Sequence, residues 1–558
     1  MADVYSLSLN QVYELLQRSV YNLCNEHGVK DCVNFLVEEP QVLEFGDFAS
    51  NVAMVAAKHF KMSPLKLADK IVANMSLNGS YFAKCEIKKP GFINFFFNNE
   101  WYVNALQNIL NDGVRFGYTN FGNGEKVLLE FVSANPTGPM HIGNARGGAI
   151  GDSLAECFKF AGFDVKKEFY VNDAGNQIEK FKKSLAIRYE QIYKNTPNFV
   201  MPPDCYQGQD IAEHAAEFAK IYGAEYVDVS EQDREQAILS YALPINIKNL
   251  KLDLLKYKVE YDNWFFESNL YKDKKIYEVI DILTEKGYTF EKDGALWFCY
   301  SKCGGAKDEV LIRENKIPTY FASDIAYHYN KFKIRGFNKA INIWGADHHG
   351  HVDRLKAALN VLGVERSALY VVLMQMVRIV KKGEAVKLSK RLGNSITLNS
   401  LLDLIPIDVA RFFFNMREPN SHFDFDLDLA CEQSDNNPVY YVQYAYARIC
   451  GILKKLEGFN FSSSANFSLL NSFEELDLIK HIAKFPFEVI EAVKGYNPSK
   501  IARFCLDVAA KFHKFYGVCR IKGEAKDLID ARLGLCEAVR ITLKNAFKIL
   551  KITAREEV

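Results

Sequence analysis

The sequence predicts an α/β protein in which an open parallel sheet is preceded by a small α/β domain and followed by an all-helical bundle. Three observations support this prediction. An apolar run at residues 127–132 ends in a Gly/Pro turn and a helix rich in small residues. Two further apolar runs, residues 165–171 and 341–345, end in polar side chains, as parallel strands do where α/β sheets bind ligands. Beyond residue 401, helical periodicity continues almost throughout.

Length and composition are those of an ordinary multidomain globular protein. The 558 residues suffice for three or four domains with their own cores. Charged residues are 25% and the net charge is zero, so composition alone indicates no polyanionic partner. Residues 441–558 hold 19 Lys and Arg against 13 Asp and Glu, a mild excess that fits either nucleic acid or solvated helical faces.

The cysteines and the first residues favour a cytoplasmic protein. The twelve cysteines lack metal-ligand spacing, since the closest pair, Cys299 and Cys303, has no second pair, and we expect reduced core cysteines. The start, MADVYSLSLN, lacks the basic and apolar segments of a secretory signal, and no apolar run approaches the roughly 20 residues of a membrane span. We therefore expect a soluble intracellular protein without a membrane partner.

The N-terminal part, residues 1–115, is predicted to be a separate α/β domain. Apolar residues from Val12 to Leu23 have helical spacing, and a second helix is expected after Pro64. The domain closes with PGFINFFF, a strand whose alternate phenylalanines point to opposite faces, so that some aromatic surface stays exposed.

The stretch EFVSANPTGPMHIGNARGGAIG, residues 130–151, carries the strongest chemical signal. A strand, a Gly/Pro turn and a helix N-terminus together present free N–H groups and a positive dipole to an anion. Gly143, Gly147 and Gly151 recur every four residues and leave one helix face bare, against which a flat ligand or another backbone can lie. From this spacing alone, tight packing under a sheet is the better explanation, but His141 just ahead of Gly143 favours a ligand site.

HIGN at residues 141–144 resembles the HIGH tetrapeptide of class I aminoacyl-tRNA synthetases. The surrounding SANPTGPMHIGNARG is similar to one family of that class, the arginyl-tRNA synthetases. KLSKR at residues 387–391, about 250 residues further along, is similar to the KMSKS loop of the class. A lone KxSK is a weak signal, whereas KxSK in the second half of the same sheet is a specific one.

The resemblance covers essentially the whole chain and implies a class I Rossmann-type catalytic domain with appended domains. A tRNA-elbow-binding domain is expected at residues 1–115 and the catalytic domain at 116–400, with a connective insertion at about 180–300. A linker that contacts the tRNA stem is expected at 401–435, and an anticodon-binding helical bundle at 436–558.

The implied activity is that of an arginine–tRNA ligase. The arginine carboxylate attacks the α-phosphate of ATP, and the arginyl group then moves to the 2′-hydroxyl of the terminal adenosine of tRNA(Arg). Neither step needs a protein nucleophile, so catalysis rests on positioning and charge stabilisation, with Mg²⁺ accompanying ATP. The implied catalytic residues are His141, Asn144, Lys387 and Lys390. The implied ATP contacts are Pro139, His141, Gly143, Asn144, Gly345, Asp347, His349, Ser389 and Lys390.

Asn144 departs from the family motif, which has histidine at the fourth position. It keeps an N–H donor but cannot become cationic. If the position needs only a hydrogen bond to phosphate or ribose, the enzyme is active, and we favour this because the rest of the site is intact. Otherwise the chain is a catalytically weakened tRNA-binding paralogue. A nucleotidyltransferase of the same superfamily is the remaining alternative, which the two tRNA-binding appendages disfavour.

The arginine site is predicted around Glu267, which follows the aromatic run WFF. An unpaired carboxylate there would be costly unless a cation joins it, from the protein or from a substrate. Tyr320 and Asp324 share one face of a helix that Thr319 can cap, and carboxylates with a stacking ring suit a planar guanidinium. The implied arginine contacts are Ser133, Asn135, Asn172, Asp173, Glu267, Tyr320, Asp324 and His348. Asn172 and Asp173 could instead cap the next helix.

The segment ADHHGH, residues 346–351, suggests a metal site at first sight. No further ligand cluster accompanies it, so we expect no structural zinc, and the resemblance assigns the loop to arginine and adenosine contacts.

Contacts with tRNA are implied at both ends of the chain. EFGDFASNVAM resembles the family's N-terminal domain, and NNPVYYVQYAYARI resembles the start of its anticodon-binding bundle, where tyrosines could stack on unpaired bases while others are core. The implied tRNA contacts are Phe45, Asp47, Asn51, Tyr440, Gln443, Tyr444 and Arg448. We expect no DNA partner and a monomer.

Overall fold

The N-terminal domain of the computed structural model combines four helices with a four-stranded sheet. The structure describes residues 3–29, 34–40, 42–194, 201–386, 396–456, 458 and 463–557. The helices are α1 (Val4–His27), α2 (Val52–Phe60), α3 (Pro64–Ala73) and α4 (Asn99–Asp112). The strands are β1 (Val37–Glu38), β2 (Phe48–Ser50), β3 (Phe82–Lys88) and β4 (Phe92–Phe97), in spatial order β1-β2-β4-β3. Both predicted helices and the alternation of β4 are confirmed, since Phe95 is buried and Phe92 is exposed.

Five parallel strands form the central sheet, in spatial order β12-β11-β5-β6-β7 once all strands are numbered along the chain. The strands from the centre onward are β5 (Lys126–Glu130), β6 (Asp164–Val171), β7 (Asn263–Phe266), β8 (Thr289–Lys292), β9 (Ala295–Phe298), β10 (Glu309–Ile312), β11 (Lys339–Gly345), β12 (Leu369–Met374), β13 (Val377–Lys381), β14 (Glu384–Ala385) and β15 (Phe423–Asp426). The three apolar runs of the sequence are β5, β6 and β11, neighbours in this sheet, so the open parallel sheet is confirmed.

The helices that follow β5 along the chain are numbered α5 to α20. They are α5 (Ile142–Phe160), α6 (Asn176–Tyr193), α7 (Gln209–Tyr222), α8 (Glu231–Lys256), α9 (Glu267–Lys272), α10 (Lys275–Glu285), α11 (Tyr320–Tyr329), α12 (His349–Val361), α13 (Leu398–Leu404), α14 (Ile407–Asn415), α15 (Leu427–Cys431), α16 (Pro438–Lys455), α17 (Phe473–Ala483), α18 (Phe485–Lys494), α19 (Ser499–Val518) and α20 (Lys526–Leu550). Helix α11 continues into one π-helical turn at Asn330–Ile334.

The bare face of α5 serves packing. A Cβ at Gly151 would lie 2.2 Å from the ring of Phe131, and one at Gly147 would lie 3.6 Å from Met374. The glycines therefore admit protein side chains, so the packing interpretation holds for these two positions and a ligand is confined to the N-terminal turn of α5.

A strand of the central sheet divides the insertion predicted at about 180–300. Helices α6, α7 and α8 form one addition with a core of their own, after which β7 pairs in parallel with β6. A second addition, the antiparallel sheet of β8, β9 and β10, follows. The prediction of one continuous insertion is wrong. The four residues of β7, NWFF, are too few for their periodicity to distinguish a strand from a helix.

After β12 the chain leaves the central sheet, and β13 pairs with β14 and β15 in a separate three-stranded sheet. Lys382 and Gly383 have φ values of 52° and 75°, which is the left-handed pair that a tight type I′ hairpin requires. Strand β15 pairs in parallel with β13, and it is a short interruption in a region that is helical almost throughout beyond Leu401, as predicted.

Helices α16 to α20 form the C-terminal bundle, whose core is continuous with that of the N-terminal domain. The Lys480 ammonium lies 2.9 Å from the Asp47 carboxylate and joins the two. Within the described ranges, no helix is both long and apolar enough to cross a membrane.

Candidate active site

The predicted site residues lie on loops at one edge of the central sheet. Strands β5, β6 and β7 are neighbours, and Ser133, Asn172 and Glu267 follow their carboxyl ends. Gly345 ends β11, the neighbour of β5 on the other side. Because adjacent strands lie about 4.8 Å apart, the loops after β5 and β7 start roughly 10 Å apart. The structure therefore brings residues predicted to contact arginine and a residue predicted to contact ATP to the same edge of the sheet.

The chain leaves β5 through a strained turn. Val132 and Ser133 have φ values of 70° and 39°, and a β-branched residue rarely adopts this region. The Ser133 hydroxyl accepts the Tyr170 N–H at 3.1 Å and donates to Glu130 at 3.3 Å. These contacts fix Ser133 at the base of the site. Asn135 and Pro139, further along the turn, are exposed.

His141 and Asn144 form a reciprocal cap at the N-terminus of α5. The Gly143 N–H donates to His141 Nδ1 and the His141 N–H donates to Asn144 Oδ1, each at 3.1 Å. Because Nδ1 accepts, the proton of the neutral His141 ring is on Nε2. A Cβ at Gly143 would lie 2.9 Å from the His141 ring, so glycine makes room for the cap. For a ligand, the Asn144 side chain retains its N–H donors.

Lys387, Ser389 and Lys390 lie outside the described residues, but both flanks of their segment are described. Before it, the Val386 N–H donates to the Ile379 carbonyl at 2.9 Å. After it, the Ile142 N–H donates to the Ile396 carbonyl at 3.2 Å, and Thr397 pairs with His141 as an isolated β-bridge. The chain that follows the second motif, from Ile396 onward, therefore lies directly against the first motif.

Glu267 is the most unusual titratable residue of this edge. It is 1% exposed, and among the described residues the groups that most affect its ionisation include no lysine or arginine. Burial, followed by the Asp324 and Asp173 carboxylates, raises the pKa of Glu267 to about 8, against hydrogen bonds from Ser323 and Tyr170. A buried acid with acidic neighbours and only neutral donors is a site for a cation.

Asn172 and Asp173 support the acidic cluster in different ways. The Asn172 amide, with its nitrogen toward Glu267, donates to Glu267 Oε2 at 2.7 Å. Asp173 accepts from the Ser268 N–H at 2.9 Å and from the Ser268 hydroxyl at 2.6 Å. Asp173 therefore holds the first turn of α9, so the capping alternative applies, although to a helix other than the next one in the chain.

Tyr320 and Asp324 lie on α11, which Thr319 caps as predicted by accepting the Ala322 N–H. Tyr320 is 42% exposed, and its hydroxyl accepts the Asn176 N–H at 2.9 Å. One oxygen of Asp324 lies 2.7 Å from His351 Nε2.

The segment at residues 346–351 is partly exposed to solvent and partly packed against the end of β11. Asp347, His348 and His349 are exposed at the start of α12. A Cβ at Gly345 would lie 2.4 Å from Asp347 Oδ1, so glycine lets this carboxylate fold back over the strand end. Among the described residues, no three metal-ligating side chains lie together.

Sequence reasoning missed Tyr170, Ser323 and His351. Tyr170 and Ser323 hydrogen-bond to Glu267, and His351 hydrogen-bonds to Asp324. Ser323 and His351 stand beside predicted residues in the chain, which was the available signal. Their partners are 27 or more residues away in sequence, so no local pattern could assign them.

Two predicted tRNA contacts are wrong because their side chains are engaged within the protein. Gln443 is 1% exposed, and its amide donates to Asp408 at 3.1 Å and to the Thr553 carbonyl at 2.8 Å. Asp47 accepts the Phe97 N–H at 2.7 Å and pairs with a bundle lysine. Both side chains therefore stabilise the fold of the protein itself.

The other predicted tRNA contacts differ in exposure. Phe45 is 43% exposed, whereas the side chain of Asn51 accepts the Leu36 N–H at 2.9 Å. Tyr440 is half-buried, with the Arg555 guanidinium 6.0 Å from its ring.

Tyr444 and Arg448 lie on one exposed face of α16. The Arg448 guanidinium lies 5.5 Å from the Tyr444 ring and 4.8 Å from the ring of Tyr516 on α19. His513 lies 6.0 Å from Tyr444. Tyr444, Arg448, His513 and Tyr516 are called the aromatic–arginine surface below, and the last two were not predicted.

A parallel sheet with a capped HIGN turn after its central strand defines a class I aminoacyl-tRNA synthetase. Residues 105–421 match the family model described as tRNA synthetases class I (R), catalytic domain. Residues 11–97 match the arginyl tRNA synthetase N terminal domain, and residues 442–558 match the DALR anticodon binding domain. The chain belongs to the arginyl-tRNA synthetase family.

Individual relatives agree over nearly the full length. The chain is 50% identical over 524 residues to the arginine–tRNA ligase of Caldanaerobacter subterraneus subsp. tengcongensis, covering 93% of each chain. It is 44% identical over 563 residues to that of Acetivibrio thermocellus, covering 100% of each. The fold matches Thermus thermophilus arginyl-tRNA synthetase with a TM-score of 0.75 at 19% identity, over 97% of this chain and 99% of that one. The predicted family and fold class are confirmed.

Proposed function

We propose that the protein is an active arginine–tRNA ligase, which forms arginyl-adenylate from L-arginine and ATP and transfers the arginyl group to the 2′-hydroxyl of the terminal adenosine of tRNA(Arg). The observation that carries the proposal is Glu267, a buried acid among acidic neighbours at the same sheet edge as the His141 turn. A guanidinium supplies the cation that this acid lacks.

ATP binds at the N-terminus of α5 in this proposal. The helix dipole, the Nε2–H of His141 and the amide of Asn144 face the phosphates, where negative charge grows in the transition state. The ammonium groups of Lys387 and Lys390 add positive charge from the second motif. The further ATP contacts are Pro139, Gly143, Gly345, Asp347, His349 and Ser389. Mg²⁺ enters bound to the ATP phosphates, and the protein needs no structural zinc.

Arginine binds between β7 and α11. Glu267 and Asp324 each accept N–H groups of the guanidinium, and Tyr320 covers its exposed side. A lysine ammonium is compact and would leave acceptors of this slot unpaired, which is how polar sites reject the wrong substrate. The remaining contacts, near the α-amino and carboxylate groups, are Ser133, Asn135, Asn172, Asp173 and His348.

The tRNA approaches both ends of the chain. We assign Phe45 and Asn51 to the elbow and Tyr440, Tyr444 and Arg448 to the anticodon, because exposed rings with a neighbouring guanidinium stack on unpaired bases. The protein works as a monomer in the cytoplasm, without a DNA or membrane partner.

The test is ATP–pyrophosphate exchange with tRNA(Arg) present, using arginine, lysine and citrulline in turn. Exchange is expected with arginine alone. The reaction without tRNA serves as background. Absence of exchange with arginine and tRNA, while the protein still binds tRNA, would instead support the catalytically weakened paralogue.

A further inference from the structure

A continuous chain of polar contacts runs from Asp324 away from the arginine slot. Asp324 Oδ2 lies 2.7 Å from His351 Nε2. Arg354 Nε donates to His351 Nδ1 at 3.2 Å, and Arg354 NH1 lies 2.5 Å from Glu309 Oε1. These polar contacts thus link α11, α12 and β10, a strand of the antiparallel sheet formed by β8, β9 and β10.

The arginine contact determines which nitrogen of His351 carries the proton. A guanidinium can only donate, so Nδ1 accepts and holds no proton while this contact exists. The ring proton is therefore on Nε2, which donates to Asp324. The rings of Phe321 and Trp344 each lie 5.8 Å from the His351 ring, whose side chain is 15% exposed, and they restrict its rotation.

Strand β10 supports both partners of the Asp324–His351 hydrogen bond. Besides the Glu309 contact, the Thr319 hydroxyl donates to the Val310 carbonyl at 2.7 Å and the Thr319 N–H donates to the Leu311 carbonyl at 2.8 Å. Thr319 caps the helix that carries Asp324. The start of α11 and the far end of the polar chain are therefore fixed to the same three residues of β10.

We propose that His351 is a positioning residue for arginine recognition. By donating from Nε2 it holds one oxygen of Asp324 and directs the other toward the guanidinium beside Glu267. The terminal torsion of an aspartate is broad, whereas carboxylate–guanidinium pairing is strongly directional. Without the ring, Asp324 is free to turn away from Glu267, which it repels. This inference rests on the proposed arginine slot.

The variants separate positioning from packing. His351→Leu removes the donor, and the arginine KM should rise about 10- to 100-fold, as for a lost hydrogen bond to a charged group. The ATP KM should stay unchanged. His351→Gln keeps an N–H donor at the Nε2 position and should restore most of the loss. Arg354→Met leaves His351 able to turn and should raise the arginine KM less. Asp353→Asn, an exposed change on the same helix, is the control and should match the wild type.

The measurements are KM and kcat for arginine and for ATP in aminoacylation, with the melting temperature of each variant. A His351→Leu protein that melts lower but keeps the wild-type arginine KM would overturn the proposal, as would a Gln variant as impaired as the Leu variant. If His351→Leu fails to fold, an unchanged arginine KM in Arg354→Met overturns it. Failure of the proposed function itself appears separately, as absent arginine-dependent exchange in the wild type.

Discussion

The two ends of the active site are built in opposite ways. At the proposed ATP end, the His141 ring and the Asn144 amide oxygen each accept a backbone N–H within one helical turn. At the proposed arginine end, Glu267 is buried beside Asp324 and Asp173, and among the described residues the hydrogen bonds that favour its ionised form come from the neutral side chains of Ser323 and Tyr170. The first end is prepared by local structure, whereas the second depends on a ligand to balance its charge.

This difference has two consequences at the proposed arginine end. The buried acids lower the folding stability when no substrate is bound, and they discriminate between substrates when one binds. In the proposed slot, the buried carboxyl lowers the stability of the protein without substrate, and the same feature favours a planar cation as the ligand.

The largest effect is expected at the arginine end. Glu267→Gln keeps the shape of the side chain but removes its charge, and kcat/KM for arginine should fall about 10³-fold or more, because the guanidinium then lacks a buried anionic partner. Steady-state aminoacylation measures this. The exposed Glu260→Gln, seven residues earlier, is the control. A Glu267→Gln enzyme with near-normal kcat/KM would remove Glu267 from the slot.

A smaller effect is expected at the ATP end. Asn144→Ala removes a donor that faces the phosphates, and adenylate formation should slow on the order of 10²-fold. It also removes the acceptor of the His141 N–H, which lowers the unfolding free energy by about 1 kcal/mol.

Single-turnover adenylate formation with tRNA present separates the two roles of Asn144. Slow chemistry in a protein that is still folded supports the donor role. An Asn144→Ala protein that melts lower but activates arginine at the wild-type rate would show that Asn144 is a helix cap only.

The pH dependence is expected to distinguish the two ends. The pKa of Glu267 is about 8 in the empty protein, and arginine binds its ionised form. The arginine Kd should therefore fall by up to tenfold for each pH unit between about 6 and 8, and level off above. Calorimetry measures this, with ATP binding as the control. An arginine Kd constant across this range would contradict the raised pKa.

The folding stability of the protein without arginine should change with pH in the opposite direction to the arginine affinity: it should fall as pH rises. The folded pKa of Glu267 is raised above the ordinary 4.5, so the folded state binds the proton more tightly than the unfolded state. Stability contributed by the protonated group is complete below about 4.5 and is lost as pH rises through 8. Melting curves should show the Glu267→Gln protein gaining stability over the wild type from pH 6 to 9. Parallel curves would refute the assignment.

The contrast between local contacts at one end and tertiary contacts at the other also explains how much of each end could be predicted from the sequence. The helix start after the Gly/Pro turn and the Thr319 cap of α11 were predicted because their signals lie within a few residues, whereas the reciprocal cap of His141 and Asn144 was not predicted. The acidic cluster could be named only through family resemblance, because Glu267 and Asp324 come together through tertiary packing. His351 was missed for the same reason.

The failures also have specific causes. Gln443 was grouped with its tyrosine neighbours although Tyr440, Tyr444 and Arg448 form an i, i+4, i+8 stripe, and Gln443 falls on the buried side of α16. Strand β7 was missed since four residues carry too little pattern, and β15 since its pairing with β13 is not visible in a local window.

The smallest effect is expected at the proposed anticodon end, where the aromatic–arginine surface lies on α16 and α19 of the C-terminal bundle. Tyr444→Ala removes a stacking ring and should raise the KM for tRNA(Arg) about fivefold or more, with the arginine KM unchanged. Arg448→Ala should act similarly, and its effect should shrink at high salt. Gln443→Ala, on the buried side of the same helix, is the matched comparison and should lower the melting temperature instead. If Gln443→Ala raised the tRNA KM while Tyr444→Ala did not, the exposed stripe of α16 would not be the face that meets the anticodon.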